Sequence, residues 1–324
     1  MRHIPNMNAS AAGDRPDVFR RWLIAARPWA LPASVMPVLY GTALAVVVRD
    51  VPFRADRFVL ALAAMILLHT AANLLSDVFD FRRGLDTEVT PVSGAIVRGW
   101  VSPGAAMRAS VLLFAVGGAI GAALALRVGP PLWWIGGIGV AIGALYSAMK
   151  AVALGDLAVF LNFGLLGAAG AWTVQTGRFS VYPILAAVPL GLLVVAILHA
   201  NNWRDLAGDR RARVRTFASV LGDAGSLHYY GFLLFAPFGY LAALIWAPRG
   251  LMMDTRFRLP LTAAAAFMAL PKAAALWARA VRRHRPREPM DFVALDGATA
   301  QLNLIFGALL TAGIVAARFM ESAR

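Results

Sequence analysis

Apolar residues come in nine long runs along this chain, near 31–49, 58–76, 105–126, 131–149, 153–174, 181–200, 228–247, 259–279 and 298–318. Polar and charged residues collect in the stretches between them. A helix needs roughly 20 apolar residues to cross a hydrocarbon core of about 30 Å. Each run therefore predicts one transmembrane helix, and the expected fold class is all-α, a polytopic membrane protein of nine spans. Gly129, Pro130 and Pro131 between the third and fourth runs predict a tight turn. Small residues recur in GGAIGAALA (117–125) and GGIGVAIGA (136–144), where they let helices approach closely in lipid.

Composition agrees with a lipid environment. Of 324 residues, 60% are hydrophobic and 15% charged, and the mean hydropathy is +0.66. Soluble domains hold roughly 45–50% apolar residues. There is no cysteine, which excludes disulfides and thiolate metal sites. A net charge of +14 would suit nucleic acid. Here the basic residues lie between apolar runs and report membrane topology instead, so no nucleic-acid partner is expected. Residues 1–22 are polar and unlike a signal peptide. They are expected to form a cytoplasmic leader before a transmembrane domain at 23–324. With the N-terminus and the loops after even-numbered spans on one face, that face carries most of the 31 Lys+Arg. This places the N-terminus in the cytoplasm. Most of the 17 Asp+Glu lie on the same face, which the charge rule does not explain. They predict a charged site there.

The acids fall in two clusters. In NLLSDVFDFRRGLD (73–86), Asn73 and Asp77 are spaced i,i+4 and Asp77 and Asp80 i,i+3. That spacing puts them on one side of a helix. Gly84 is expected to end the helix, with Asp86 following in the loop. In HANNWRDLAGDRRARVR (199–215), Asn201, Asn202, Asp205 and Asp209 repeat the spacing about 128 residues later. Carboxylates that converge near a bilayer repel unless a cation neutralises them, and such residues mark function. Mg²⁺ takes oxygen ligands and is usually held by one or two carboxylates together with substrate phosphates. The predicted metal ligands are Asn73, Asp77, Asp80, Asn202, Asp205 and Asp209, with Mg²⁺ as cofactor. Lys150, one turn after Tyr146, is a cation at the same edge, and Arg82, Arg83, Arg204 and Arg215 flank the clusters. Cations beside metal-bound carboxylates suit a diphosphate. The repeat also predicts two related four-helix halves followed by a ninth helix.

A lone Asp at a helix end is commonly a cap, and Lys150 by itself would read as a membrane anchor. The two spaced sets at equivalent helix ends are what carry the functional reading. The tract RRHRPRE (282–288) is read as an anchor, Lys272 as a snorkelling side chain, and His69, His199 and His228 as structural.

Both motifs resemble the two aspartate-rich motifs of the UbiA superfamily of intramembrane prenyltransferases. The likeness covers nearly the whole chain after about residue 22. Within that superfamily, RPWALPASVMPVLYGTALA (27–45), GDLAVFLNFGLLGAAGAWTVQTG (155–177) and NNWRD (201–205) resemble 1,4-dihydroxy-2-naphthoate polyprenyltransferases. The resemblance implies a helical bundle around a central cavity that opens to the cytoplasm and, at its side, to lipid. It implies Mg²⁺-dependent transfer of a polyprenyl group from its diphosphate to an aromatic acceptor in menaquinone biosynthesis, at the cell inner membrane. In that reading Asp77, Asp80, Asp205, Asp209 and Lys150 carry catalysis. Asn73, Arg82, Asp86, Tyr146, Asn201, Asn202, Arg204 and Arg215 bind substrate, and Phe79, Trp172 and Trp203 line the prenyl groove. Asp205 is the chosen base for the acceptor. A hydroxybenzoate, homogentisate or non-quinone alcohol acceptor is the alternative within the fold. A cation transporter is the alternative from another class, but its site belongs near the bilayer middle, and these clusters sit at helix ends.

Overall fold

Each apolar run folds as helix, because a chain in lipid must satisfy its backbone polar groups internally. The computed structural model describes residues 16–84, 89, 94–211, 214–246 and 258–322. In chain order the helices are α1 (Val18–Ala26), α2 (Pro32–Val48), α3 (Ala55–Arg82), α4 (Pro103–Val128), α5 (Pro130–Lys150), α6 (Gly155–Val159) and α7 (Gly167–Thr176). They continue with α8 (Tyr182–Ala186), α9 (Val188–Arg204), α10 (Leu206–Arg211), α11 (Phe217–Trp246), α12 (Leu270–Val281), α13 (Met290–Val293) and α14 (Leu295–Ser322). A π-helical segment, Phe160–Leu166, joins α6 to α7, and a 3₁₀ segment, Leu261–Ala269, leads into α12. Among the described residues the only strand-like pairing is one isolated bridge between Val152 and Arg215. Gly129 alone turns the chain from α4 to α5, at φ 114°, a backbone conformation that favours glycine.

Among the described residues, seven helical stretches are long and apolar enough to cross a membrane, and an eighth counts if the pair Val18–Ala30 and Pro32–Val48, bent by 53°, is one span. The predicted nine are therefore not all met. The run at 181–200 breaks at Ala187 into α8 and α9, and α9 has 17 residues. Pro183 and Pro189 occupy the first turns of these two helices, where a missing N–H costs nothing. Two short helices thus replace one long one.

The largest core joins α2, α9, α11 and α14 through buried Tyr40, Leu44, Leu193, Tyr230, Leu241 and Phe306. Large apolar side chains also face outward, among them Leu126, Trp134 and Met268, each at least 74% exposed. A bilayer accounts for such a surface, since soluble monomers rarely expose apolar patches this extensive. Glycine sets the closest helix approach relevant to the site. A Cβ on Gly164 in the π segment would lie 2.6 Å from the Gly191 Cα of α9. Backbone contact of this kind fixes α9 against the π segment.

Candidate functional site

The two acidic motifs face one cavity of about 760 Å³ at one end of the bundle. From α3 it receives Asn73, Ser76 and Asp80, and from the end of α5, Tyr146 and Lys150. Asn201, Arg204 and Asp205 reach it from the end of α9, Asp209 from α10 and Asp296 from the first turn of α14. Arg27, Arg98 and Arg211 add further positive charge to its wall.

The charged groups hold one another in place. Lys150 Nζ donates to Asp80 Oδ2 at 3.1 Å, both side chains being nearly buried. Arg204 donates to Asp205 through Nε at 3.0 Å and Nη2 at 3.2 Å, and through Nη2 to Asn201 Oδ1 at 2.6 Å. Its Nη1 reaches the Val293 carbonyl and Asp296 Oδ1, both at 3.0 Å. Arg204 was expected on phosphate, but here it staples the second motif to α14. Asp209 is 4% exposed and accepts a hydrogen bond from Thr216 Oγ1 at 2.8 Å. Burial pushes its carboxyl up to about 6, while the Thr216 bond and the Lys150 charge act the other way. Thr216 Oγ1 also accepts from Ser219 N at 3.2 Å, so one hydroxyl caps α11 and holds Asp209.

Several predicted residues lie elsewhere. Asp77 is buried but does not line the cavity. Its Oδ1 receives Arg27 Nη2 at 2.7 Å, so it stands behind a cavity arginine. Gly94 allows this packing, since a Cβ there would come within 3.2 Å of Asp77 Oδ2. Asn202 is 2% exposed and packed in the protein. Arg82 is exposed, beyond the cavity wall. Arg215 is exposed, and its backbone N–H bonds the Ala151 carbonyl at 3.3 Å. Trp172 and Trp203 are core residues, and Arg83 stacks over Phe79 at 6.0 Å. Asp86 lies outside the described residues.

The donor set fits Mg²⁺ in one respect and limits it in another. Asp80, Asp205, Asp209, Asn73 and Asn201 offer oxygens to one cavity, which is the ligand chemistry this ion takes. Among the described residues no three acids or histidines sit close enough to form a closed metal cage. An ion here needs ligands from its substrate as well. Among the described residues Asn73 Nδ2 is buried without a hydrogen-bond partner, so this carboxamide too awaits one.

A second, smaller cavity of about 140 Å³ adjoins the first. Its wall is almost wholly apolar, with Leu68, Phe114, Leu124, Leu132, Ile135 and Val174 along it. His69, Ala72, Gly143, Asn162 and Phe163 line both cavities. Polar and apolar compartments therefore meet at a neck made by α3, α5 and the π segment. Sequence reasoning did not single out Arg27, Arg98, Asp296 or Asn162. Each is a lone residue from a distant element, with no spacing to mark it. For Arg27 a local sign existed, since its charge directly precedes Pro28 at the entry to α2.

Fold and site together define a multi-pass helical membrane protein with a large charged cavity adjoining an apolar one. The chain belongs to the UbiA prenyltransferase family, whose profile matches residues 34–295, and it is accordingly a prenyltransferase. It is 32% identical over 305 residues to UbiA prenyltransferase domain-containing protein 1 of Mus musculus, covering 91% of this chain and 84% of that one. The Drosophila melanogaster homologue is 32% identical over 301 residues, covering 90% and 78%. Among solved structures, the apo UbiA homologue from Aeropyrum pernix K1 superposes with a TM-score of 0.64 at 20% identity, over 88% of this chain and 97% of that one. The Archaeoglobus fulgidus homologue bound to GPP and Mg²⁺ gives 0.58 at 15% identity, over 90% and 99%.

Proposed function

We propose that this chain transfers a polyprenyl group from polyprenyl diphosphate to an aromatic hydroxy acceptor, 1,4-dihydroxy-2-naphthoate, in menaquinone biosynthesis. The observation that carries this reading is the single cavity faced by both acidic motifs and by Lys150, adjoining an apolar cavity. A diphosphate between Asp80 on one side and Asp205 and Asp209 on the other meets oxygen ligands for Mg²⁺ from both. Bound Mg²⁺ supplies Lewis-acid stabilisation of the charge that develops on the leaving diphosphate, worth several kcal/mol. The metal and prenyl diphosphate of the Archaeoglobus fulgidus homologue support this assignment.

The remaining work falls to this chain's side chains. Lys150 and Arg27 offset phosphate charge, and Arg204 holds Asn201 and Asp205 toward it. The apolar cavity takes the prenyl tail and keeps water from the allylic carbon. The ring of the acceptor meets that carbon at the neck. The C1–O bond breaks with its electron pair on diphosphate, and a ring carbon bonds to C1. For the naphthoate the ring carboxyl then leaves as CO₂, its bond pair restoring the aromatic ring, to give a demethylmenaquinol. The site faces the cytoplasm, on the face where the sequence gathers its positive charge, and the two acidic motifs belong to two related four-helix halves.

The test is product identification. Purified protein in liposomes is given labelled polyprenyl diphosphate, Mg²⁺ and either 1,4-dihydroxy-2-naphthoate, 4-hydroxybenzoate or homogentisate. Prenylated naphthoquinol is expected as the main product. A different prenylated ring would keep the chemistry and change the acceptor. Uptake of cations by donor-free liposomes, without prenyl transfer, would replace the enzyme with a transporter.

A further inference from the structure

We infer that His69 binds the hydroxyl of the acceptor, with its Nε2 accepting that hydrogen bond at the neck between the two cavities. This inference rests on the aromatic-acceptor reading above and adds a residue outside both acidic motifs.

The geometry begins with Ser34. Its Oγ lies 3.0 Å from the Leu31 carbonyl and 2.9 Å from His69 Nδ1. A carbonyl only accepts, so the serine hydrogen points at Leu31 and the imidazole carries its proton on Nδ1, donating to Ser34 Oγ. The other tautomer would set two oxygen lone pairs face to face across 3.0 Å. The lock leaves Nε2 as the bare acceptor nitrogen. Among the described residues Nε2 has no hydrogen-bond partner, and it is not among the sealed polar atoms of the interior. His69 as a whole is 5% exposed, and what it exposes borders both cavities.

Its surroundings suit an aromatic ring. Phe163 packs on the imidazole with centroids 4.5 Å apart at 42° and borders both cavities as well. Asn162 brings a carboxamide to the same neck. Both sit in the π-helical segment Phe160–Leu166, and such irregular turns often mark functional positions. Gly139 and Gly143 face Asn162 across the neck, where a Cβ at Gly139 would come within 3.0 Å of its Oδ1. The neck is therefore a slot with an apolar face, a hydrogen-bond acceptor and a carboxamide. Asp205, the other candidate to receive the hydroxyl, is 46% exposed and occupied by Arg204 at the polar rim. A hydrogen bond from the hydroxyl to Nε2 orients the ring and pushes electron density into it. Attack on the allylic carbon needs both.

The test uses full-length wild type, His69→Phe, His69→Gln and Ser34→Ala in liposomes. The probes are whichever of the three acceptors above wild type prenylates best, and its O-methyl ethers. His69→Phe keeps a ring of similar size and loses the nitrogen. Its KM for the free hydroxyarene is expected to rise about tenfold, with KM for the prenyl diphosphate unchanged. The preference of wild type for the hydroxyarene over the ether that blocks the bound hydroxyl collapses by the same factor. His69→Gln restores part of the preference. Ser34→Ala, which unlocks the tautomer, gives a smaller rise, and it reads out the same preference if His69→Phe fails to fold. Undiminished preference in the variants, or equal KM changes for both substrates, overturns the inference and leaves the enzyme reading intact. Wild type that prenylates none of the acceptors overturns the aromatic-acceptor reading, and this inference with it.

Discussion

The two acidic motifs share a spacing but not a construction. The first lies inside α3, which continues past Asp80 to Arg82. At roughly 100° per residue, Ser76, Asp80 and Asn73 fall in one narrow arc and Asp77 lies roughly 40° beyond Asn73, on the edge away from Asp80. That difference sends Asp77 to Arg27 and leaves Asp80 for the cavity. The second motif straddles a break. α9 ends at Arg204, Asp205 takes the C-cap position, and α10 restarts at Leu206. Asp205 is 46% exposed at its side chain, whereas Asp209 is buried on Thr216. A shared i,i+4 spacing thus yields a rigid wall on one side of the cavity and a hinge-like pair on the other.

The sharpest way to break this comparison is to exchange the roles of the two acids on α3. Asp80→Asn is expected to lower kcat by about 10²–10³, the scale for removing one preorganised electrostatic contact. Asp77→Asn is expected to act mainly on KM for prenyl diphosphate, by about tenfold, through loss of its grip on Arg27. Steady-state kinetics at saturating Mg²⁺ separates them. Equal kcat losses would mean that Asp77 also reaches the metal, and that both motifs work in the same way.

A smaller effect is expected at the cation between the motifs. Lys150→Met leaves Asp80 nearly buried without its partner. Truncating one member of such a pair costs about 2–5 kcal/mol, so KM for the diphosphate should rise by about 100-fold. Lys150→Arg keeps the charge and should recover most of it. Stability is the readout for the contact that sets the second motif against the neck. Gly191→Ala puts a methyl against the Phe160 ring, 2.9 Å from its Cδ2. Overpacking of this kind costs about 1–3 kcal/mol, measurable as a lower thermal midpoint, and it should loosen α9 before α3.

Much of this site was legible in the sequence because helical spacing is local. Asn73 with Asp80, and Asn201 with Asp205 and Asp209, are neighbours by periodicity, and the structure brings them to one cavity. Lys150 was legible as a cation at the same edge. What periodicity cannot separate is two residues about 60° apart on one helix, which is why Asp77 and Asp80 looked equivalent. Arg27, Asp296 and Asn162 reach the site only through tertiary packing over long sequence separations, so no spacing announces them. The transmembrane runs were readable from hydropathy. The break at Ala187 was not, because two prolines inside an apolar run change helix continuity without changing hydropathy. The π segment leaves no hydropathy mark either, and it builds one wall of the neck.

The smallest effect expected is at Thr216, and it tests why the two sides of the cavity differ. Burial raises the Asp209 carboxyl to about 6, and the Thr216 hydroxyl opposes that rise. A carboxyl raised in the folded state holds its proton there more tightly than in the unfolded chain. Its contribution to stability is complete below the ordinary carboxylate range and is lost as pH rises through about 6. In metal-free protein the unfolding free energy should therefore fall across that window relative to Asp209→Asn by an amount on the order of 3 kcal/mol, read as a falling thermal midpoint. Thr216→Val removes the bond that favours the charged form and shifts the window upward by less than about one pH unit. It also costs about 1 kcal/mol at the start of α11, through loss of the cap to Ser219. Thr216→Ser keeps both contacts and should leave the window in place. If all three proteins titrate alike, burial alone sets the Asp209 proton. The second motif would then be as passive a wall as the first.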